Sequence, residues 1–161
     1  MRIDRKTVPA AALTLAALAL SLAGSVRADD STAATTERAA ILQVVNDAYI
    51  DGIHNYRDPV AIRKGFDPGF EMLILKDDKL EKLPLEAWIA RLAETKPPAP
   101  TRASGLRPTT AEFPGVEIAG SAALVRVEVW REGKRQFTDF LNLYRFSDGW
   151  RIVGKSFYRW P

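Results

Sequence analysis

The last third of the chain alternates strand-forming runs with turns that leave it almost no freedom of topology. Ala122 to Trp130, Arg135 to Phe146 and Trp150 to Tyr158 are rich in β-branched and aromatic residues. They are separated by Glu132-Gly133 and Asp148-Gly149. A two-residue loop containing glycine turns a strand straight back beside itself, so these runs are predicted as neighbouring antiparallel strands. Thr110 to Ile118 precedes Gly120-Ser121 and makes a fourth. Its internal Pro114-Gly115 places it at a sheet edge or makes it bulged, because proline cannot donate to a ladder on both sides.

The sequence upstream has a different period. Ile41, Val44, Val45, Ala48, Tyr49 and Gly52 recur at helical spacing, with Thr35 or Thr36 to cap the helix and Gly52 to end it. Asp58-Pro59 opens a second, short helix that stops at Gly65. Asp67-Pro68-Gly69 reads as a turn, and Phe70 to Leu75 and Leu80 to Leu83 flank a hairpin at Lys76-Asp77-Asp78-Lys79. Leu85, Trp88, Ile89 and Leu92 give a third helix. Residues 96–108 carry four prolines and are predicted as a loop. The order α-α-β-β-α-β-β-β-β is that of an α+β domain.

The N-terminus reads as a secretory leader. Arg2, Arg5 and Lys6 precede an Ala/Leu run from Ala10 to Leu22, and Val26-Arg27-Ala28 sets small residues before a cut at Asp29. The apolar run is shorter than the roughly 20 residues of a membrane span. The chain therefore divides into a leader over 1–28, a polar, disordered lead over 29–36 and one domain over 37–161, expected to be periplasmic or secreted and free of the membrane after cleavage. The absence of cysteine rules out a disulfide framework. Cleavage also changes the charge. The full sequence holds 23 basic and 20 acidic residues, and removal of the leader leaves 19 of each. A neutral exported domain lacks the basic excess that nucleic-acid binding requires.

The segments Ile41-x7-Tyr49-Ile50-x-Gly52, Asp58, Phe66-x-Pro68, Thr138-Asp139-Phe140-Leu141-x-Leu143 and Gly149-Trp150-x-Ile152-Val153-x-Lys155 resemble the nuclear transport factor 2-like superfamily. Within it they are similar to the family named Putative lumazine-binding, over about residues 37–158. The resemblance implies a cone, a cystatin-like α+β roll in which a curved antiparallel sheet packs on three helices around an internal pocket. It also implies a small-molecule ligand. Such folds host isomerases, cyclases and plain binding modules alike, so the site must decide. The family pattern is expected to carry His after the Phe, where this chain has Asp67.

Few residues here can do chemistry. His54 is the only histidine. With no cysteine, it cannot complete a Cys/His zinc site, a thiol dyad or an H-E-x-x-H motif, and no metal or cofactor is expected. No G-x-S-x-G, G-x-G-x-x-G or phosphate-binding loop occurs. His54 reads either as a general acid/base or as an exposed loop residue at a helix end. Asp139 stands out inside an apolar strand, where aspartate is disfavoured. It reads as a carboxylate on the pocket wall, or as half of an outer-face pair with Arg126 or Tyr158. A two-residue turn would set Arg126 opposite it, and a longer turn would set Val127 there.

Three functions fit these residues. The first is a non-catalytic binding domain for a small, partly aromatic molecule. Tyr49, Phe66, Trp88 and Leu141 would supply its walls, and Asp139 with Arg126 and Tyr158 its polar end. The second is an isomerase- or cyclase-like enzyme with Asp139 as acid or base and Tyr49 or Tyr158 polarising a carbonyl. The third is a homodimeric interaction module using the open sheet face. All three readings take the domain as exported. N-terminal sequencing of the protein from a periplasmic extract is expected to start at Asp29, within a residue or two. An intact Met1 in the membrane fraction would overturn the localisation.

Overall fold

The structure, a computed structural model, describes residues 22–94, 105 and 107–161. Most of the leader and most of the proline-rich loop lie outside the described residues. The backbone separates into two units, one ending at Thr35 and one covering Thr36–Pro161. Among the described residues no helix is long and apolar enough to cross a bilayer.

The first helix, α1, spans Leu22–Val44. The disordered lead expected over 29–36 is therefore helical, in keeping with the high helix propensity of Ala33 and Ala34. From Val45 to Asn55 the helix widens into a π-helix of 11 residues, instead of ending at Gly52 as an α-helix. Its last turn shows the i→i+5 pattern: the Tyr56 N–H donates to the Asp51 carbonyl at 2.7 Å. Side chains hold this end in place. Asn55 exchanges two hydrogen bonds with the Thr109 backbone, at 3.1 and 3.0 Å, and a third reaches Asp51. A strand start is thereby fastened to a helix end.

Helix α2 spans Pro59–Gly65, and the Asp58 carboxylate accepts from the Val60 and Ala61 N–H groups as its cap. A Cβ on Gly65 would stand 2.3 Å from the Ala48 Cβ, so glycine is what lets α2 lie this close to the π-helix. Strand β1 spans Phe66–Lys76 and β2 Lys79–Pro84. Asp77 and Asp78 both take positive φ, as a tight hairpin demands. The expected Asp67-Pro68-Gly69 turn is absorbed into β1 as an irregularity between Phe66 and Glu71, with the Asp67 carboxylate accepting the Gly69 N–H. Helix α3 spans Leu85–Glu94.

Strands β3 (Thr109–Ala119), β4 (Ala122–Arg131), β5 (Lys134–Phe146) and β6 (Gly149–Arg159) form the meander. One six-stranded sheet results, in the order β2-β1-β6-β5-β4-β3. The α+β class holds, with one refinement: β1 joins β6 in parallel, so the sheet is mixed and not wholly antiparallel. Strand β3 is both edge and bulged, its register slipping between Glu112 and Gly115.

Two further bulges set which side chains face inward. Gln136 is the extra residue where β5 leaves β4, and Val153 is the extra residue where β6 meets β5. Inside these bulges, Val127, Asp139 and Phe157 lie side by side, as do Val125, Leu141 and Lys155. The helices cover this face. Glu37 of α1 accepts hydrogen bonds from the Arg145 guanidinium and the Trp150 indole, at 2.5 and 2.6 Å.

Candidate functional site

The sheet's inner face is apolar except at its centre. Asp139 is wholly buried and Lys155 keeps 4% of its surface exposed. Tyr49, equally buried, comes down from the π-helix between them. Its hydroxyl donates to Asp139 Oδ2 at 2.5 Å and accepts from Lys155 Nζ at 2.6 Å, and that ammonium also lies 2.7 Å from Asp139 Oδ1. Asp139 Oδ1 has no hydrogen bond of its own and is balanced by the charge of the ammonium beside it, which a buried carboxylate requires. The ammonium's remaining surroundings are rings: Tyr49 and Phe157 each at 4.8 Å, Trp88 at 5.6 Å and Phe137 at 5.7 Å. Cation–π attraction is strongest where water is excluded, as here.

The setting shifts each group in a consistent direction. Burial pushes the Tyr49 phenol well above its ordinary value, and the Asp139 charge and hydrogen bond add to this. Burial pulls the Lys155 ammonium down; Asp139 opposes that pull and Arg159 reinforces it. Tyrosine therefore stays a hydroxyl at any physiological pH, a hydrogen-bonding strut and not a base.

The π-helix then places His54 one turn beyond Tyr49. The two rings meet edge to face with centroids 4.8 Å apart, and His54 lies 6.2 Å from Phe137. Burial, then the charges of Lys155 and Arg131, lower the imidazole to about 3, so it is neutral. Its Nε2 is shut off from solvent without a hydrogen-bond partner among the described residues. The ring forms one wall of a cavity of about 330 Å³, whose other walls include Arg131, Gln136, Phe137, Arg159 and Trp160. His54 is therefore neither an exposed loop histidine nor a proton donor.

The residues proposed from sequence separate into two groups. Tyr49, Phe66, Trp88, Asp139 and Leu141 come together in the interior, each at most 9% exposed. Phe66 and Phe70 pack against Trp88 there. Arg126 and Tyr158 do not join them. The Gln136 bulge sets Val127 beside Asp139 and turns Arg126 to the outer face, where it donates to Glu128 at 3.0 and 2.7 Å. The Val153 bulge likewise sets Phe157 beside Asp139 and leaves Tyr158 on the outer face, 55% exposed. Lys155 was missed because lysine on a strand reads as surface. A clue to Asp139 did exist: it shares odd parity with Phe137, Leu141 and Leu143.

A family model described as Putative lumazine-binding matches residues 36–158. No curated protein matches the chain. Among solved structures, a nuclear transport factor 2-like protein of unknown function from Shewanella baltica OS155 is 25% identical, with a TM-score of 0.65. The match covers 79% of this chain and 96% of that one. A second nuclear transport factor 2-like protein of unknown function, from Silicibacter pomeroyi DSS-3, is 23% identical with a TM-score of 0.62, covering 78% and 98%. A domain of unknown function with a cystatin-like fold from Nostoc punctiforme PCC 73102 is 16% identical with a TM-score of 0.51, covering 79% of each chain. The last two bear on fold alone.

The triad's geometry makes Asp139 chiefly a counter-charge. Asp139→Asn strands a buried ammonium and is expected to cost about 3–5 kcal/mol of stability. Adding Lys155→Met should recover most of it. Urea unfolding of the single and double variants measures both, and a single variant as stable as the parent would contradict the assignment.

Proposed function

Because the chain belongs to the Putative lumazine-binding family, we propose that it is an exported, non-catalytic domain holding one small, partly aromatic molecule beside His54. The observation that carries this reading is the imidazole itself. It lines a cavity and presents a neutral ring, and its Nε2 lacks a partner. That nitrogen is closed off, so the ring, and not this atom, is what the cavity presents to a ligand. The cavity's volume of about 330 Å³ falls at the small end of ligand sites, which run from about 300 to 1,000 Å³.

Binding is favoured over proton transfer by the state of the triad. Both oxygens of Asp139 are engaged, and the Tyr49 hydroxyl is held between a donor and an acceptor. A general base needs a free lone pair within reach of the substrate. The interior walls named from sequence therefore act as a rigid floor behind the ligand and not as its immediate contacts.

Lumazine, the compound in the family's name, is the first probe. Titrated into the protein purified after expression of the full sequence, it should raise the melting temperature and shift the resonances of the single histidine. At one hundred times the dissociation constant the gain in stability should be about 2.7 kcal/mol. Turnover of the probe, or no response by either readout, would count against the reading.

Leu124, Phe140, Tyr144 and Tyr158 are exposed apolar side chains on the outer sheet face. They support a second copy of the chain docking there. Sedimentation at micromolar concentration should then give twice the monomer mass, and a strict monomer would rule the dimer out.

A further inference from the structure

The cavity beside His54 is unbalanced in charge. Two of its walls are the guanidinium groups of Arg131 and Arg159, and no acidic side chain lines it among the described residues. Among the described residues Arg131 donates only to the Thr109 hydroxyl, through long hydrogen bonds of 3.4 and 3.3 Å. The Arg159 guanidinium lies over the Phe137 ring at 5.1 Å. Neither has a carboxylate within ion-pair distance among the described residues, whereas Arg126, Arg135, Arg145 and Arg151 each do. Arginine pairs left without acids match the planar, two-oxygen edge of a carboxylate.

Thr109, Val129 and Gln136 also line the cavity, together with rings. Phe137 and His54 supply rings from the sheet's inner side, and Trp160 lines it from beside Tyr158. The Trp160 indole N–H donates to the Thr138 hydroxyl at 3.0 Å, its backbone N–H donates to the Gln136 carbonyl, and Arg135 covers its ring at 3.7 Å. Rigid rings at a small cavity favour a planar ligand, because offset and edge-to-face contacts add to the area buried.

We propose that the cavity takes a planar aromatic carboxylate of one or two rings, its carboxylate held by Arg131 and Arg159 and its ring set against Phe137 and His54. This rests on the reading that the domain binds a small molecule beside His54, and it adds the charge and shape of that molecule.

The test compares 2-naphthoate with its neutral analogue 2-naphthamide, titrated calorimetrically and by the resonances of the single histidine. The protein and its Arg131→Gln/Arg159→Gln variant are both used, with melting curves to show that the variant folds. The expected result is that naphthoate shifts the His54 signals and binds at least about tenfold more tightly than the amide, since hydrogen bonds to charged groups are the strong ones. The double variant should lose that preference and leave the amide's affinity within about threefold. Equal affinities in the parent, or a preference that survives the double variant, would overturn the carboxylate and leave the binding reading standing. If lumazine moves the His54 signals and both naphthyl compounds fail, the proposal falls alone. If all three fail, it falls together with the binding reading.

Discussion

A lysine ammonium stands in the middle of an aromatic interior, and the fold is arranged around keeping it there. Lys155 comes from β6, Asp139 from β5 and Tyr49 from the π-helix. They meet within 2.7 Å of one another. Desolvating such a pair costs several kcal/mol per ion, and the mutual attraction offsets this only with near-ideal geometry and no spare lone pairs. The interaction is therefore intolerant of drift. If the helix slid against the sheet, the ammonium would lose its phenol. If β6 slipped against β5, lysine would face outward and a neutral side chain would meet the carboxylate. A buried charge pair contributes little net stability, but it makes alternative registers costly.

Much of the architecture was legible because it follows from local rules. The meander came from glycine-containing turns, the second helix from Asp58-Pro59 and Gly65, and the edge position of β3 from Pro114. What was hidden was hidden by single extra residues. In β6, Trp150 and Ile152 point inward, and strict alternation from them sends Lys155 to solvent; Val153 breaks the count. Asp139 and Arg126 were legible in principle. Each follows the parity of its own strand, Phe137-x-Asp139-x-Leu141 facing inward and Val125-x-Val127 leaving Arg126 outside. Setting turn geometry above strand parity obscured this, because the Gln136 bulge alters the register without altering the alternation near Asp139.

The interior and its mouth divide the electrostatic labour. Within the sheet the charges cancel, one ammonium against one carboxylate. At the mouth two guanidinium groups stand without acids among the described residues. The neutral imidazole lies between these regions, touching Tyr49 on one side and the cavity on the other. Burial first, and then the nearby cations, keep it unprotonated, so it adds no third positive charge there. The same fold elsewhere hosts unrelated chemistries; here the centre is neutralised and the uncompensated charge stands at the rim.

The π-helix gives this arrangement an arithmetic. In an α-helix each residue advances the face by about 100°, and residues five apart do not stack. With i→i+5 bonding they do, which is why Tyr49 can serve the triad while His54 serves the cavity on one continuous wall. A single-codon deletion between them would let the backbone relax to ordinary α-helix with no loss of apolar composition. The two rings would then stand four residues apart and still share one face. The wide turn is thus how the chain accommodates an extra residue between Tyr49 and His54 without taking either ring off the wall it serves.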